Sequence, residues 1–242
     1  MGYLKKEVNR KVGKAIHSYG LLASGDRILV AVSGGADSLL NLWFLRNWLE
    51  KAPISYDLIP VHLDLGFERS NVKKIIDYLS GYDLSFHIEF TDFGPKSHSS
   101  FNRKKSPCFL CSMLRRKRLF ELAHAFGCNK IAFGHNMDDL IETFFINMCY
   151  TGELSTMVPK QEMFKGLITI IRPLALVEKD KIQRLAQKLR LPVVENPCPS
   201  AKSSRRSDIR TLLTDLYHLN PHARPNIMKA LTHVRLEYLP VL

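Results

Sequence analysis

RILVAVSGGADS, residues Arg27–Ser38, decides the fold. Ile28–Val32 is a short, β-branched apolar run, as expected of a parallel strand buried on both faces. It stops at Ser33-Gly34-Gly35, and Asp37 or Ser38 is placed to cap an apolar-periodic helix over Leu39–Glu50. A strand that ends in a glycine turn at a helix N-terminus makes an anion site, because free backbone N–H groups and the positive end of the helix dipole face one spot. The glycines let the backbone approach a phosphate, and Ser33 and Ser38 add hydroxyls. The string is neither G-x-x-x-x-G-K-[ST] nor G-x-G-x-x-G, which argues against γ-phosphate transfer and dinucleotide binding.

Outward from this stretch the rhythm repeats. Tyr56–Leu63 reads as a second strand ending in His62-Leu63-Asp64, Asn71–Leu79 as a helix, and Leu84–Phe90 as a third strand. Thr91–Pro107 is polar and basic and reads as a mobile loop. Cys108–Phe126 is a helix closed by Gly127. Lys130–Phe133 and Leu167–Ile171 are further strands, with a helix over Leu140–Cys149 between them. Glu178–Leu189 is helical, Pro192–Ser200 irregular, and the tail two helices parted near Asn220-Pro221. Strand–helix alternation predicts an α/β fold: a doubly wound, mainly parallel sheet with helices on both faces and helical extensions at both ends. The expected division is a basic amphipathic helix over 1–23, a nucleotide-binding domain over 24–200 and a helical extension over 201–242. Ligands of such sheets sit beyond the carboxyl ends of the strands, where Ser33–Ser38 lies.

Composition points to the partner. Thirty-five Lys and Arg against 23 Asp and Glu give a net charge of +12, which favours a polyanion. The excess recurs in Lys5–Lys14, Arg103–Lys105, Arg115–Arg118, Lys179–Arg190 and Lys202–Arg210. Nucleic acid is favoured over a membrane surface, since no segment pairs a basic face with a large exposed aromatic one. No apolar run approaches the roughly 18 residues of a membrane span, and the N-terminal stretch lacks a signal peptide's apolar core. A cytoplasmic protein with reduced cysteines is expected.

Five cysteines are present. Cys108 and Cys111 open a helix, where the dipole and Arg115–Arg118 favour thiolates. A C-x-x-C pair alone leaves a zinc half-site, a redox pair and chance spacing open. Cys128 and Cys149 lie in apolar surroundings and read as buried, inert thiols. Cys198, between Pro197 and Pro199, gains little from packing. Three cysteines under-ligate a structural zinc and suit a [4Fe-4S] cluster that keeps one iron open. In Gly134-His135-Asn136-Met137-Asp138-Asp139 the adjacent carboxylates can hold Mg2+ or cap the helix, and Asp138 is the one expected to face the site. His135 and Arg172 are candidates for phosphate, and His62 and Asp64, at the end of the second strand, for the nucleotide. Arg115, one turn past Cys111, is placed to offset negative charge on a substrate.

SGGADS, CFLC, GHNMDD, IRPL and the remote Cys198 occur in the order seen in the TtcA-type tRNA thiolation enzymes of the ATP-pyrophosphatase (PP-loop) superfamily, and the chain resembles them over roughly residues 20–215. Lysidine and GMP synthetases resemble only the phosphate loop. The resemblance implies a tRNA sulfurtransferase that uses ATP to adenylate a base carbonyl, cytidine C2, and replaces its oxygen with sulfur. The alternative is a lysidine-synthetase-like or other amidating ligase. Ser33, Gly34, Gly35, Asp37 and Ser38 match the family's phosphate loop, Gly134, His135, Asp138 and Asp139 its second nucleotide motif, and Cys108, Cys111 and Cys198 the ligands of its [4Fe-4S] cluster. Asp37, Arg115 and Asp138 are the expected catalytic residues. ATP, Mg2+ and the cluster are the expected cofactors, and tRNA and a sulfur donor (sulfide or a desulfurase) the partners. A homodimer is compatible with this reading. The chain departs from the family at Ala201, where a second late C-x-x-C would place a cysteine.

Overall fold

The computed structural model describes residues 2–239 apart from 68–69, 104–105, 196 and 203–204. The described chain divides into two units: Met1–Asn136 with Val158–Lys202, and Met137–Met157 with Ser203–Leu242.

The first unit holds a six-stranded sheet in the order β3-β2-β1-β4-β6-β5. The strands are β1 (Arg27–Ala31), β2 (Asp57–Asp64), β3 (His87–Phe90), β4 (Lys130–Ala132), β5 (Lys160–Met163) and β6 (Ile168–Ile171). All neighbours run parallel except β5 and β6. Alternation along β1 explains the layers. Ile28 and Val30 turn to a core shared with α1 (Tyr3–Ser18), α2 (Ala36–Leu49), α3 (Ser70–Ser80) and α7 (Lys179–Lys188), whereas Leu29 joins Val61, Ile131 and the Leu119–Ala123 turn of α5 (Pro107–Ala125). The sheet is therefore covered on both faces, as the unbroken apolar run of β1 requires.

At the start of β1, buried Lys130 donates to Asp26 Oδ2 (2.6 Å) and to the Leu21 carbonyl (2.9 Å), while Asn129 donates to Asp26 Oδ1 (2.9 Å). A buried charge pair holds only when its remaining polar atoms are also satisfied, and this one ties the N-terminal ends of β1 and β4 together. Helix α1 buries Leu4, Val8, Val12, Ala15 and Ile16, and its polar side joins α7 through Lys11–Glu178 and Glu7–Lys181.

Several expectations are corrected. Helix α2 begins at Ala36 with Gly35 as its N-cap, so neither Asp37 nor Ser38 caps it. The stretch 91–107 is not a loop throughout: α4 (Phe93–His98) forms within it, with Ser97 buried and its hydroxyl donating to the Phe93 carbonyl (2.6 Å). Strand β5 was not expected. Its residues Lys160, Gln161 and Glu162 are exposed, so this edge strand has no apolar alternation to betray it. The hairpin to β6 turns through Phe164 (φ 53°), Lys165 (φ 58°) and Gly166 (φ 88°), without an Asn-Gly or Asp-Gly signal.

The second unit is helical: α6 (Met137–Tyr150), α8 (Arg205–Leu219) and α9 (Ala223–Ala230). Ile141, Ile209 and Leu213 form its core, and buried Glu142 receives Arg210 Nε at 2.7 Å. Cys149, expected to be buried, is exposed near the end of α6, while Cys128 is buried. No helix among the described residues is long and apolar enough to cross a membrane.

Candidate active site

The carboxyl ends of β1, β2, β4 and β6 lead directly to Ser33, Asp64, Gly134 and Arg172, so the fold gathers these residues at one edge of the sheet. At the phosphate loop, Gly34 takes φ +87°, a left-handed conformation natural only to glycine. A Cβ there would also lie 2.3 Å from Val194 Cγ2. Ser38 braces the loop from within. Its hydroxyl donates to the Gly35 carbonyl (2.9 Å) and accepts from Ser33 N (3.0 Å), with Ser33 Oγ at 3.1 Å. Ser38 thus shapes the cradle instead of offering its proton outward. Gly35 brings no side-chain cap to the first turn of α2, so the N–H groups there remain available to an anion.

Gly134 lies against this turn so closely that a Cβ would stand 2.8 Å from Asp37 C and 2.9 Å from Ser38 N. Two residues on, fully buried Asn136 donates through Nδ2 to Asp37 Oδ1 (2.8 Å) and fixes the carboxylate. Arg172 is buried, not on the surface, and burial lowers its pKa to about 10, which leaves it charged at neutral pH. Its Nε donates to His135 Nδ1 (3.1 Å) and its Nη1 to the Val158 carbonyl. An arginine only donates, so His135 accepts at Nδ1 and its neutral ring carries the proton on Nε2. The ring stacks on Phe133 with centroids 5.4 Å apart. Arg172 therefore orients His135.

His62 is buried beneath the loop, with Nδ1 2.8 Å from the carbonyl of Val32, and burial pushes its pKa down. Because a carbonyl only accepts, Nδ1 carries the proton. Asp64 acts locally, since its Oδ1 accepts from Gly66 N (2.8 Å) and turns the chain after β2.

The cysteines come from two places in the same unit, the start of α5 and the segment that carries Cys198. Pro107 stands in the first turn of α5, and Ser106 caps it by accepting from Phe109 N (3.3 Å), which presents Cys108 and Cys111 one turn apart. The Cys108 thiol points at the Ser200 carbonyl, 3.9 Å away, beside the 3-10 turn Pro199–Lys202 that follows Cys198. His98 of α4 pins that turn, with Nδ1 3.0 Å from the Gly94 carbonyl and Nε2 2.8 Å from Ser200 Oγ. Val194 N donates to the Gly34 carbonyl (3.0 Å), so the segment that delivers Cys198 is fastened to the phosphate loop.

Cys108 is exposed, and Cys111 and Cys198 are half-buried. Burial pushes the Cys108 thiol up, and the charge of Cys198 adds to it. Burial also raises Cys111; Arg115 opposes that rise, while Cys198 and Cys108 reinforce it. At Cys108 and Cys111 the expected depression by the helix end is thus overridden by partial desolvation, with the charge of neighbouring thiolates adding to it. Arg115 is half-buried, and its charge opposes the rise of Cys111 and adds to the lowering of His62. Among the described residues, no three His, Cys, Asp or Glu are gathered as ligands of a single metal ion. Three cysteine thiols are the donor chemistry that an iron–sulfur cluster takes.

Asp138 and Asp139 belong to the second unit, in the first turn of α6. Asp138 is buried and pairs with Arg224 at 3.1 Å. Of the basic stretches, Lys104 and Lys105 lie outside the described residues. Sequence reasoning does not find Asn136, Val194 or His98. Asn136 stands inside a motif that is legible as a whole, and the other two carry no local signal.

The chain matches the PP-loop domain over residues 4–216. It is 36% identical over 236 residues to the tRNA-cytidine(32) 2-sulfurtransferase of Geobacter sulfurreducens, covering 97% of this chain and 92% of that protein. A protein of the same description from Geotalea daltonii is 36% identical over 239 residues, covering 98% and 94%. Among solved structures, the U34-tRNA thiolase NcsA from Methanococcus maripaludis with its [4Fe-4S] cluster superposes with a TM-score of 0.78 at 23% identity, covering 96% of this chain and 80% of that one. The NH3-dependent NAD synthetase of Campylobacter jejuni shares the fold at a TM-score of 0.53 and 14% identity, covering 100% and 99%. The chain belongs to the PP-loop family and, within it, to the TtcA-type tRNA thiolation enzymes, which are transferases.

Proposed function

We propose that the chain is an ATP-dependent tRNA sulfurtransferase that adenylates a base carbonyl, cytidine C2, and replaces its oxygen with sulfur. The observation that carries this is the hydrogen bond from Val194 to Gly34, four residues before Cys198, which fastens the third cysteine's segment to the loop assigned to ATP.

In the first step the base oxygen attacks the α-phosphorus, AMP is joined to that oxygen, and pyrophosphate leaves into the Ser33–Ser38 cradle. The first-turn N–H groups of α2 and the Nε2–H of His135 stabilise the phosphate charge. Asp37, held by Asn136, fixes the geometry of the turn against Gly134. In the second step sulfide adds at C2, and AMP departs with the oxygen, so no electron changes hands. Arg115 offsets the negative charge of the addition. Cys108, Cys111 and Cys198 would hold a [4Fe-4S] cluster, which when bound supplies an open iron site for sulfide. Magnesium enters only as the ion that accompanies the ATP phosphates.

Incubation with tRNA, ATP and sulfide, followed by mass analysis of nucleosides and nucleotides, tests the reading. A thiolated cytidine with AMP and pyrophosphate is expected. Unmodified tRNA, or ADP and phosphate as products, would overturn it.

A further inference from the structure

Both tryptophans of the chain, Trp43 and Trp48, lie on α2. They stand about 10 and about 18 Å along the helix axis from Ala36 at the phosphate end, by the rise of an α-helix. There they line a cavity of about 430 Å³ with Lys5, Lys6 and Arg10 of α1 and Lys51, and no acidic side chain among the described residues lines it. The indoles are held in place. Trp48 Nε1 donates to Asn9 Oδ1 (3.1 Å), and Gly13 leaves room for its ring: a Cβ at that position would lie 2.9 Å from Cζ2 and Cη2. The Lys5 ammonium sits 4.5 Å from the centre of the Trp43 ring. Trp43 and Trp48 are half-buried, and Lys6 and Arg10 are exposed.

An aromatic wall beside a cluster of cations is how proteins take unpaired nucleotides: the base stacks and the phosphate meets the charge. A membrane surface fits poorly, because the apolar side of α1 (Leu4, Val8, Val12, Ala15 and Ile16) is already buried against the protein. We infer that this cavity is a second RNA contact, which takes an unpaired nucleotide of the tRNA away from the phosphate loop. The inference rests on the proposed tRNA substrate. It gives the basic N-terminal helix a role separate from the chemistry, namely holding the RNA body while another nucleotide is modified.

Because the only two tryptophans line the cavity, intrinsic tryptophan emission reports on it directly. The full chain is titrated with bulk tRNA, with ATP and with vesicles of anionic phospholipid, and tRNA binding is measured in parallel by filter retention. Quenching by tRNA that weakens steeply with salt is expected, with little change on adding ATP or vesicles. Lys6→Glu combined with Arg10→Glu should weaken tRNA binding about tenfold and flatten its salt dependence. Trp43→Ala should weaken it by a similar factor, and Trp43→Phe should recover part of the loss. The exposed charge pair keeps the test independent of any folding defect at Trp43. Retained tRNA with unchanged emission, or unchanged affinity in the charge-reversal variant, would overturn the inference while leaving the sulfurtransferase reading intact. Quenching by ATP or by vesicles in place of tRNA would assign the cavity another occupant and also overturn it. Failure of tRNA to bind at all would instead overturn the proposed function.

Discussion

Around Ser33–Ser38 the bracing hydrogen bonds of Ser38 run between neighbours in the sequence, and Asn136 and Val194 add one bond each from afar, whereas the cysteine site is assembled from α4, α5 and a turn some ninety residues beyond the start of α5. The phosphate loop has a buried serine at its centre and a glycine backbone pressed against it. The cysteine site has one exposed and two half-buried thiols, and the turn that follows Cys198 is held by the long-range contacts of His98 and Cys108 with Ser200. A rigid cradle suits phosphate, whose charge needs donors fixed in advance. A more open set of thiols leaves room for an incoming ligand, as the proposed function requires.

If the two regions divide the chemistry in this way, substitutions should separate them. The largest effect is expected from Cys108→Ala, Cys111→Ala or Cys198→Ala: each should reduce thiolation of tRNA to background, while Cys128→Ala and Cys149→Ala retain it, as read by nucleoside mass analysis. Asp37→Ala and Ser38→Ala come next. Each should lower turnover by about a hundredfold through misplacement of the reacting groups, with iron binding and tRNA affinity preserved. Loss of iron in either variant would show that the regions are not separable. Gly34→Ala and Gly134→Ala should destabilise the chain by about 1–3 kcal/mol in chemical denaturation, because one position requires a positive φ and the other faces unyielding backbone.

The smallest effect concerns the seat of the cysteine helix. Arg118 of α5 grips Glu89 of β3 through Nε (2.6 Å) and Nη2 (2.9 Å) and holds its carboxyl below the usual carboxylate range. A depressed pKa contributes stability that is full above the unfolded-state value and lost as pH falls through the folded one. Both side chains are partly exposed, so Glu89→Gln should cost under about 1 kcal/mol at pH 7, with the difference disappearing in thermal melts at acid pH. A larger loss at acid pH than at neutral pH would contradict this.

The contrast also explains what the sequence made legible. The phosphate loop is a local device, a strand ending in a glycine turn at a helix start, and its residues sit where the pattern of RILVAVSGGADS puts them. The parallel sheet followed from the repeated apolar runs, and β5 escaped because an exposed edge strand has no apolar face to display. Cys108 and Cys111 were visible through their spacing. The partners that hold the turn beside Cys198, His98 and Val194, depend on contacts made only after folding. Arg172 was recognised by its place after β6, but its orienting of His135 follows from burial and hydrogen bonding that no spacing encodes. Asp138 drew attention as half of an acidic pair, and its partner Arg224 lies 86 residues later in the chain.

The central claim is that Cys108, Cys111 and Cys198 act together on one [4Fe-4S] cluster beside the phosphate loop. Anaerobic reconstitution of the full chain with iron and sulfide, followed by iron analysis and electron paramagnetic resonance of the reduced protein, tests it most directly. About four irons per chain are expected in the unsubstituted protein, with loss of the cluster signal in Cys198→Ala while far-ultraviolet circular dichroism shows the fold retained. A full complement of iron and an unchanged signal in Cys198→Ala would contradict the account.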